Sequence, residues 1–262
     1  MDLQIDHRVA LVCGAGSGLG RAIAQSLAQE GVRVAVTGRN REKLAETVAL
    51  IQQQGGTAQA WTLDLAAPGR FTETLNAIRQ HWGDVDILVN NSGGPPPARA
   101  QGVAAEVWQQ QFSLMVGALI QLTDLVLPAM RERGWGRIIT TTSSGVIAPL
   151  ANLALSNALR MSLLGWSKTL AGEVAADGVT VNVMVPGRIA TGRVAQLDAI
   201  KAGRENSTPG AIAEKSRQSI PAGRYGRPEE YGAAAAFLAS QQAAYITGSV
   251  LRVDGGLIPS VL

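Results

Sequence analysis

Cysteine occurs once, at Cys13, so an intramolecular disulfide is excluded; with His7 and His81 the only histidines, the usual soft-ligand metal clusters have no material and no metal site is expected. No uninterrupted apolar run approaches the roughly twenty residues needed to cross a bilayer, and the opening Met-Asp-Leu-Gln-Ile-Asp has no basic segment leading into an apolar one. The expectation is a cytoplasmic protein with no membrane partner. Charge of one sign is also missing: 23 basic residues stand against 20 acidic ones and are scattered, with no block able to track a phosphate backbone, so nucleic acid is not expected as a partner.

What is there is an evenly spread 46% of apolar residues over 262 positions, enough for one α/β domain spanning 1–262 with a sizeable core. Short β-branched runs alternate with longer helical patterns, which predicts βαβ units and a doubly wound, Rossmann-type, seven-stranded parallel sheet. The expected strands are Arg8 to Cys13, Val32 to Thr37, Thr57 to Thr62, Val85 to Val89, Gly136 to Thr142, Val179 to Val185 and Ser249 to Val253. Such sheets bind ligands beyond the carboxyl ends of their strands, so the segments just after each strand are where function is sought.

Two stretches break the rhythm. Gly93-Gly94-Pro95-Pro96-Pro97 follows the fourth strand and cannot be helix, because serial prolines remove donors and hold the chain extended. It reads as a stiff loop at the rim of the site. The segment at about 192–221, polar and dotted with glycine and serine, is longer than ordinary connections and reads as a lid over substrate, a plain surface excursion being the alternative.

Directly after the first strand, Cys13-Gly14-Ala15-Gly16-Ser17-Gly18-Leu19-Gly20 leads into an apolar helical pattern through Ala22, Ile23 and Leu27. Glycines permit the tight turn and let backbone approach a pyrophosphate, and a helix start offers free N–H groups and a positive dipole end. The strand before and the helix after make this a phosphate cradle. The second strand ends Thr37-Gly38-Arg39-Asn40-Arg41, with no carboxylate for a ribose and with Arg39 where a 2′-phosphate would need a cation. That favours NADP(H) over NAD(H); the alternative places Arg39 and Arg41 on a solvated helix start.

The spacing of Gly14, Gly18 and Gly20 resembles that of the short-chain dehydrogenase/reductase family, and five further motifs follow in order: Asp64 after the third strand, Asn90-Asn91-Ser92-Gly93, Pro186-Gly187-Arg188-Ile189-Ala190-Thr191, Gly223-Arg224-Tyr225-Gly226-Arg227-Pro228-Glu229-Glu230, and Val253-Asp254-Gly255-Gly256. The chain is similar in particular to the family's 3-oxoacyl-acyl-carrier-protein reductase-like members. The resemblance implies cofactor contacts from Gly16, Ser17 and Leu19 within the cradle, from Asp64 and Leu65 at the adenine, and from Asn90 and Gly93 after the fourth strand. It also implies a nicotinamide-side turn at Pro186 and Gly187, with Ile189 and Thr191 at the carboxamide. Cys13, where the family has threonine, reads as a small buried apolar residue.

The family's working residues are a tyrosine and, four positions on, a lysine, with an orienting serine and an asparagine on the preceding helix. Matching Gly165, Lys168, Leu170 and Ala171 to the family's helix puts the pair at Ser156 and Arg160. Counting back thirteen residues gives Ser143 for the orienting serine, and Trp108 with Leu127-Pro128 places Met115 at the asparagine. Ser156 is a far weaker acid than a phenol, and Arg160 stays protonated but can bind ribose hydroxyls or grip an anion. Positions 156 and 160 share a helix face, so both aim at one point; the alternative is that they satisfy each other in a remodelled cleft. Of the other hydroxylated rings, Tyr225, Tyr231 and Tyr245 fall where packing is expected, and the lid contributes Arg193, Lys201, Arg204, Glu205 and Lys215 as candidates to enter on closure.

Three functions follow from this altered set: an NADP(H)-dependent oxidoreductase for a small carbonyl or hydroxy compound, neutral or anionic, with anionic ones better suited to Arg160, using Ser143, Ser156 and Arg160; an NADP(H)-binding sensor or partner subunit without redox catalysis; or lyase or hydratase chemistry on the same scaffold. The long helices around Trp108 to Met130 and Asn152 to Ala175 carry more apolar surface than one sheet face needs, which predicts a homotetramer or, second, a homodimer.

Overall fold

Alternation along the first strand sets both layers of the molecule. In β1 (Val9–Val12), Ala10 and Val12 enter one apolar cluster while Val9 and Leu11 enter another, and all four are buried, as a parallel strand covered on both faces requires. β2 (Arg33–Gly38), β3 (Thr57–Thr62), β4 (Ile87–Asn90), β5 (Gly136–Thr141), β6 (Val179–Pro186) and β7 (Val250–Val253) complete a seven-stranded, wholly parallel sheet in the order β3-β2-β1-β4-β5-β6-β7. The computed structural model describes residues 1–261. Strand order reverses between β1 and β4, which opens the crevice where a ligand can sit.

The helices are α1 (Gly18–Gln29), α2 (Arg41–Gln53), α3 (Phe71–Trp82), α4 (Ala105–Phe112), α5 (Ala118–Glu132), α6 (Ala154–Val174), α7 (Gly192–Arg204), α8 (Pro209–Gln218) and α9 (Pro228–Ala239). One core lies under α1, α2 and α9, with Ile23, Leu27, Leu44 and Tyr231 against Val34, Val36 and Val89. The opposite core lies under α3, α5 and α6, with Phe71, Leu122 and Leu170 against Leu11, Leu88 and Ile138. Each such side chain, removed from water, contributes roughly 1.5–3 kcal/mol, so the two layers supply the main cohesive force.

The expected strands are all present, β3 with the same bounds and the others with ends differing by one or two residues; β4 begins at Ile87 rather than Val85, because pairing with β1 starts at Ala10↔Ile87. The expected helix around Trp108 to Met130 is instead three pieces of one helical run: α4, a π turn over Ser113–Gly117, and α5. Met115 sits at the middle of that bulge, 2% exposed, in a small apolar cluster with Leu155, Leu159 and Leu163 of α6. The run from Ala105 to Glu132 is long and apolar enough to cross a membrane by length and composition alone; here α5 packs on the sheet, with Phe112 and Leu125 left exposed.

The polar 192–221 segment forms two helices. Thr191 caps α7 by accepting from the Val194 N–H, and Thr208 caps α8, with Pro209 at its first position, by accepting from the Ala211 N–H.

Candidate active site

The end of β1 turns sharply into α1. Gly14 adopts φ +60°, and a Cβ on Gly20 would lie 2.4 Å from the Gly14 carbonyl oxygen, so the turn closes only with glycine at both places. Ser17 is the cap residue of α1, yet its hydroxyl makes no capping bond, which leaves the first-turn N–H groups of Gly18 and Leu19 directed outward. Arg21 braces the loop from below, donating to the Gly16 carbonyl at 2.6 Å and to the Thr47 hydroxyl at 2.9 Å. Asn91 does the same from the end of β4, its amide donating to the Cys13 carbonyl at 3.0 Å. The loop is therefore held open in the shape a diphosphate requires, and a dinucleotide fits it. Gly20→Ala is expected to cost at least about 1–3 kcal/mol in stability and to weaken nucleotide binding at least tenfold, read by thermal unfolding and by quenching of intrinsic fluorescence.

Cys13 is buried and its thiol is pushed up to about 12 by desolvation, so it is an inert packing residue.

Beside the loop, Arg39 is exposed and lines a cleft of about 260 Å³ with Asp64, Leu63, Ala67 and Phe71. Arg39 makes no ion pair with any described residue, and Asn40, which follows it, is occupied in capping α2 through the Lys43 N–H. Asp64 accepts from the Ala66 N–H at 3.0 Å and so fixes the turn after β3; Leu65 follows it, half-buried. The end of β2 thus presents Arg39 to the cleft and no carboxylate, the Asp64 carboxylate coming from the end of β3.

At the carboxyl ends of β4 and β5 the surface becomes polar. Asn90 is fully buried, its amide donating to Thr123 of α5 at 3.0 Å, so its side chain braces the strand rather than facing the cleft. Ser143 follows β5 with its hydroxyl accepting from the Gly145 N–H at 3.2 Å, while Gly93 is exposed on the loop after β4. Ser156 lies in the first turn of α6, 8% exposed, with no side-chain hydrogen bond to any described residue. Arg160, one turn on, is buried at 6% exposure and donates to three backbone carbonyls: Thr141 at 3.1 Å, Ser92 at 3.1 Å and Gly93 at 3.2 Å. It does not pair with Ser156. Burial pulls its guanidinium down to about 10, Tyr231 partly offsets that, and Arg193 adds to it; the group remains cationic at neutral pH.

No phenol enters this cleft among the described residues. Tyr245 is fully exposed, and Tyr225 donates to Asp198 at 2.8 Å. Tyr231 is fully buried within the α1/α9 layer, and burial pushes its hydroxyl up against the weaker opposing effects of the neighbouring Thr141 hydroxyl and the Arg160 charge.

On the far side, Pro186 ends β6 and Gly187 follows it, where a Cβ would lie 2.5 Å from the Asp254 Cα. Ile189 is buried and bridged to Gly226, and Thr191 opens α7. Between them Arg188 donates to Asp198 of α7 at 2.6 Å and to Ser216 of α8 at 2.8 Å, while its guanidinium lies 5.6 Å from the Tyr225 ring centroid. This network, and the brace at Arg21, are structural features that motif reading misses; the Thr208-Pro209 pair was the available signal for a helix in the supposed loop. Lys201, Arg204, Glu205 and Lys215 are exposed on α7, α8 and the turn between them.

Comparison with known proteins places these features in context. Residues 14–258 match the family model described as enoyl-(acyl carrier protein) reductase. The chain is 36% identical over 257 residues to the 3-oxoacyl-acyl-carrier-protein reductase FabG of Escherichia coli, covering 97% of this chain and 99% of that protein. It superposes on the L-sorbose reductase of Gluconobacter frateurii, solved with NADPH and L-sorbose, with a TM-score of 0.93 at 31% identity and complete coverage of both chains. A variant of actinorhodin polyketide ketoreductase solved with NADPH gives a TM-score of 0.91 at 32% identity, covering 98% of this chain and 99% of that one.

Proposed function

Because the chain belongs to the short-chain dehydrogenase/reductase family, we propose that it is an NADP(H)-dependent oxidoreductase of small carbonyl or hydroxy compounds, working with an altered constellation in which Ser143 and Arg160 replace a phenol-centred one. The observation that carries this is the combination of an intact diphosphate cradle and an unpaired Arg39 with a buried, permanently charged guanidinium at the reacting end. NADPH-bound relatives with the same fold support the choice of cofactor.

When bound, the dinucleotide supplies hydride. Gly14, Gly16, Ser17, Gly18, Leu19 and Gly20 would hold its diphosphate, Arg39 the 2′-phosphate, and Asp64 with Leu65 the adenine. Pro186, Gly187, Ile189 and Thr191 would border the nicotinamide. The Ser143 hydroxyl donates a hydrogen bond to the substrate oxygen. Arg160 supplies a positive field where negative charge develops on that oxygen, and its three carbonyl bonds mean no reorganisation is needed at that moment. Ser156 is a far poorer general acid than a phenol and offers no advantage over water, so the proton comes from solvent, and slow turnover on neutral ketones is expected.

The absence of a phenol in the cleft also favours a second function, nucleotide binding without turnover. Titration with NADPH and NADH followed by a carbonyl panel separates the two: oxidation of bound NADPH by any carbonyl compound excludes the second, and failure to bind NADPH excludes both. Arg39→Ala is expected to weaken NADPH binding roughly ten- to hundredfold and to leave NADH within about twofold, since only one cofactor carries the lost charge-assisted bond. Equal effects on both cofactors would contradict the role of Arg39 as the 2′-phosphate partner.

The 192–221 segment acts as the lid of this single domain. In the cytoplasm the protein is expected as a homotetramer, or a homodimer, burying the exposed Phe112, Leu125 and Met161 on the α4, α5 and α6 face; a monomer in sedimentation at micromolar concentration would contradict that.

A further inference from the structure

The first turn of α7 places Arg193 across the cleft from its own helix. Its guanidinium donates to the Pro95 carbonyl at 3.0 Å and to Gln196 at 3.1 Å, and it lies over Gly94 so closely that a Cβ there would meet three guanidinium atoms at 3.0–3.3 Å. Arg160 donates to the carbonyls of Ser92 and Gly93 in the same short stretch of chain. Two guanidinium groups therefore converge on residues 92–95, one fixed beneath the loop and one brought over it by the lid. Burial weakens the hold of both on their protons, and the charge of Arg193 weakens that of Arg160 further.

Neither cation has a carboxylate partner among the described residues, although twelve arginine or lysine ion pairs are formed elsewhere among them, including Arg217–Glu214 within the lid and Arg188–Asp198 between the lid and the turn before it. A buried cation and a half-buried one held against neutral carbonyls are a costly arrangement, and an arriving anion relieves it. Backbone carbonyls are weaker partners than a carboxylate, so Arg193 would exchange Pro95 for an anionic group at little cost.

We propose, building on the oxidoreductase function above, that Arg193 is the specificity-determining residue for a substrate carrying a carboxylate beside the reacting carbonyl. Such a substrate is held at the first turn of α7, with Arg193 exchanging the Pro95 carbonyl for the carboxylate and Arg160 facing the carbonyl oxygen. Neutral ketones of the same size lack the group that Arg193 would take in exchange.

Calorimetric titration of the whole protein, with and without saturating NADPH, using 2-oxobutanoate and its methyl ester as probes, tests this without requiring turnover. The wild type is expected to bind the acid at least about tenfold more tightly than the ester; Arg193→Gln removes that preference while ester binding and NADPH affinity stay within about twofold, and Arg193→Lys restores part of it. Equal binding of acid and ester by the wild type overturns the proposal, as does an equal loss for both probes in Arg193→Gln. Loss of NADPH affinity in Arg193→Gln also overturns it, because the anion gripped would then be the cofactor diphosphate. Failure of the wild type to bind NADPH would sink the oxidoreductase function instead, and the titrations without NADPH would still decide whether Arg193 selects acids.

Discussion

The combined variant Met115→Asn, Ser156→Tyr, Arg160→Lys is expected to reduce neutral ketones at least about a hundredfold faster than the wild type, because a positioned general acid contributes roughly 10²–10⁴ in rate. The gain should appear in kcat, with NADPH affinity little changed, since none of the three substitutions alters Gly14, Gly20 or the Asn91 amide that packs against both. Position 115 carries a stability penalty. Met115 is packed among Leu155, Leu159 and Leu163, and an amide placed there without a partner costs about 1–3 kcal/mol. The double variant Ser156→Tyr, Arg160→Lys avoids that cost and should retain most of the gain if the proton donor is what the native site lacks. Equal ketone reduction by wild type and both variants, with NADPH bound in each, would mean that the native constellation already has an efficient proton source. Arg160 would then not be the group that carries the developing charge.

Asp198→Ala should loosen the lid. Asp198 is 4% exposed and takes a hydrogen bond from Arg188 and another from Tyr225, so its removal leaves a half-buried guanidinium and a phenol without their acceptor. Breaking such a pair costs about 3 kcal/mol, discounted from the fully buried case because Arg188 keeps some solvent contact and its bond to Ser216. The expected readout is rapid proteolytic cleavage within residues 192–221 together with a raised KM, while NADPH affinity changes by less than about threefold. Asp198→Asn keeps the volume and one acceptor and should fall between the two. Unchanged cleavage in Asp198→Ala would mean that α7 and α8 are held by other contacts, and that Arg188 does not tie the lid to the nicotinamide-side turn.

How far the sequence could be read follows the distance over which each feature is specified. The cradle was legible because a strand, its turn and its helix are contiguous, and Gly14 and Gly20 are constrained by each other across six positions. The strands were legible because β1 and β4, buried on both faces, show near-continuous apolar runs, while β5 carries a β-branched run from Ile138 to Thr141. Their ends were not, since pairing rather than propensity decides them: Asn90 belongs to β4 only because it registers with Thr140. The π turn at Ser113–Gly117 leaves no compositional trace, because it is a slip in hydrogen-bond register within an otherwise regular helix. The 192–221 segment looked irregular because its apolar positions are few, yet Thr191 and Thr208 carried the capping signal.

By itself the sequence determined the fold class, the glycine-rich turn between β1 and α1 with Arg39 after β2, and the identity of the residues at 115, 143, 156 and 160, because each depends on local pattern or on motif spacing. Only the tertiary structure decided what those residues touch. Arg160 meets carbonyls 19, 67 and 68 positions away, and Arg193 meets one 98 positions away. The sheet alone brings the ends of β4 and β5 beneath α6 and the lid, and a charge acquires its chemistry from the partners that such long-range packing supplies or withholds.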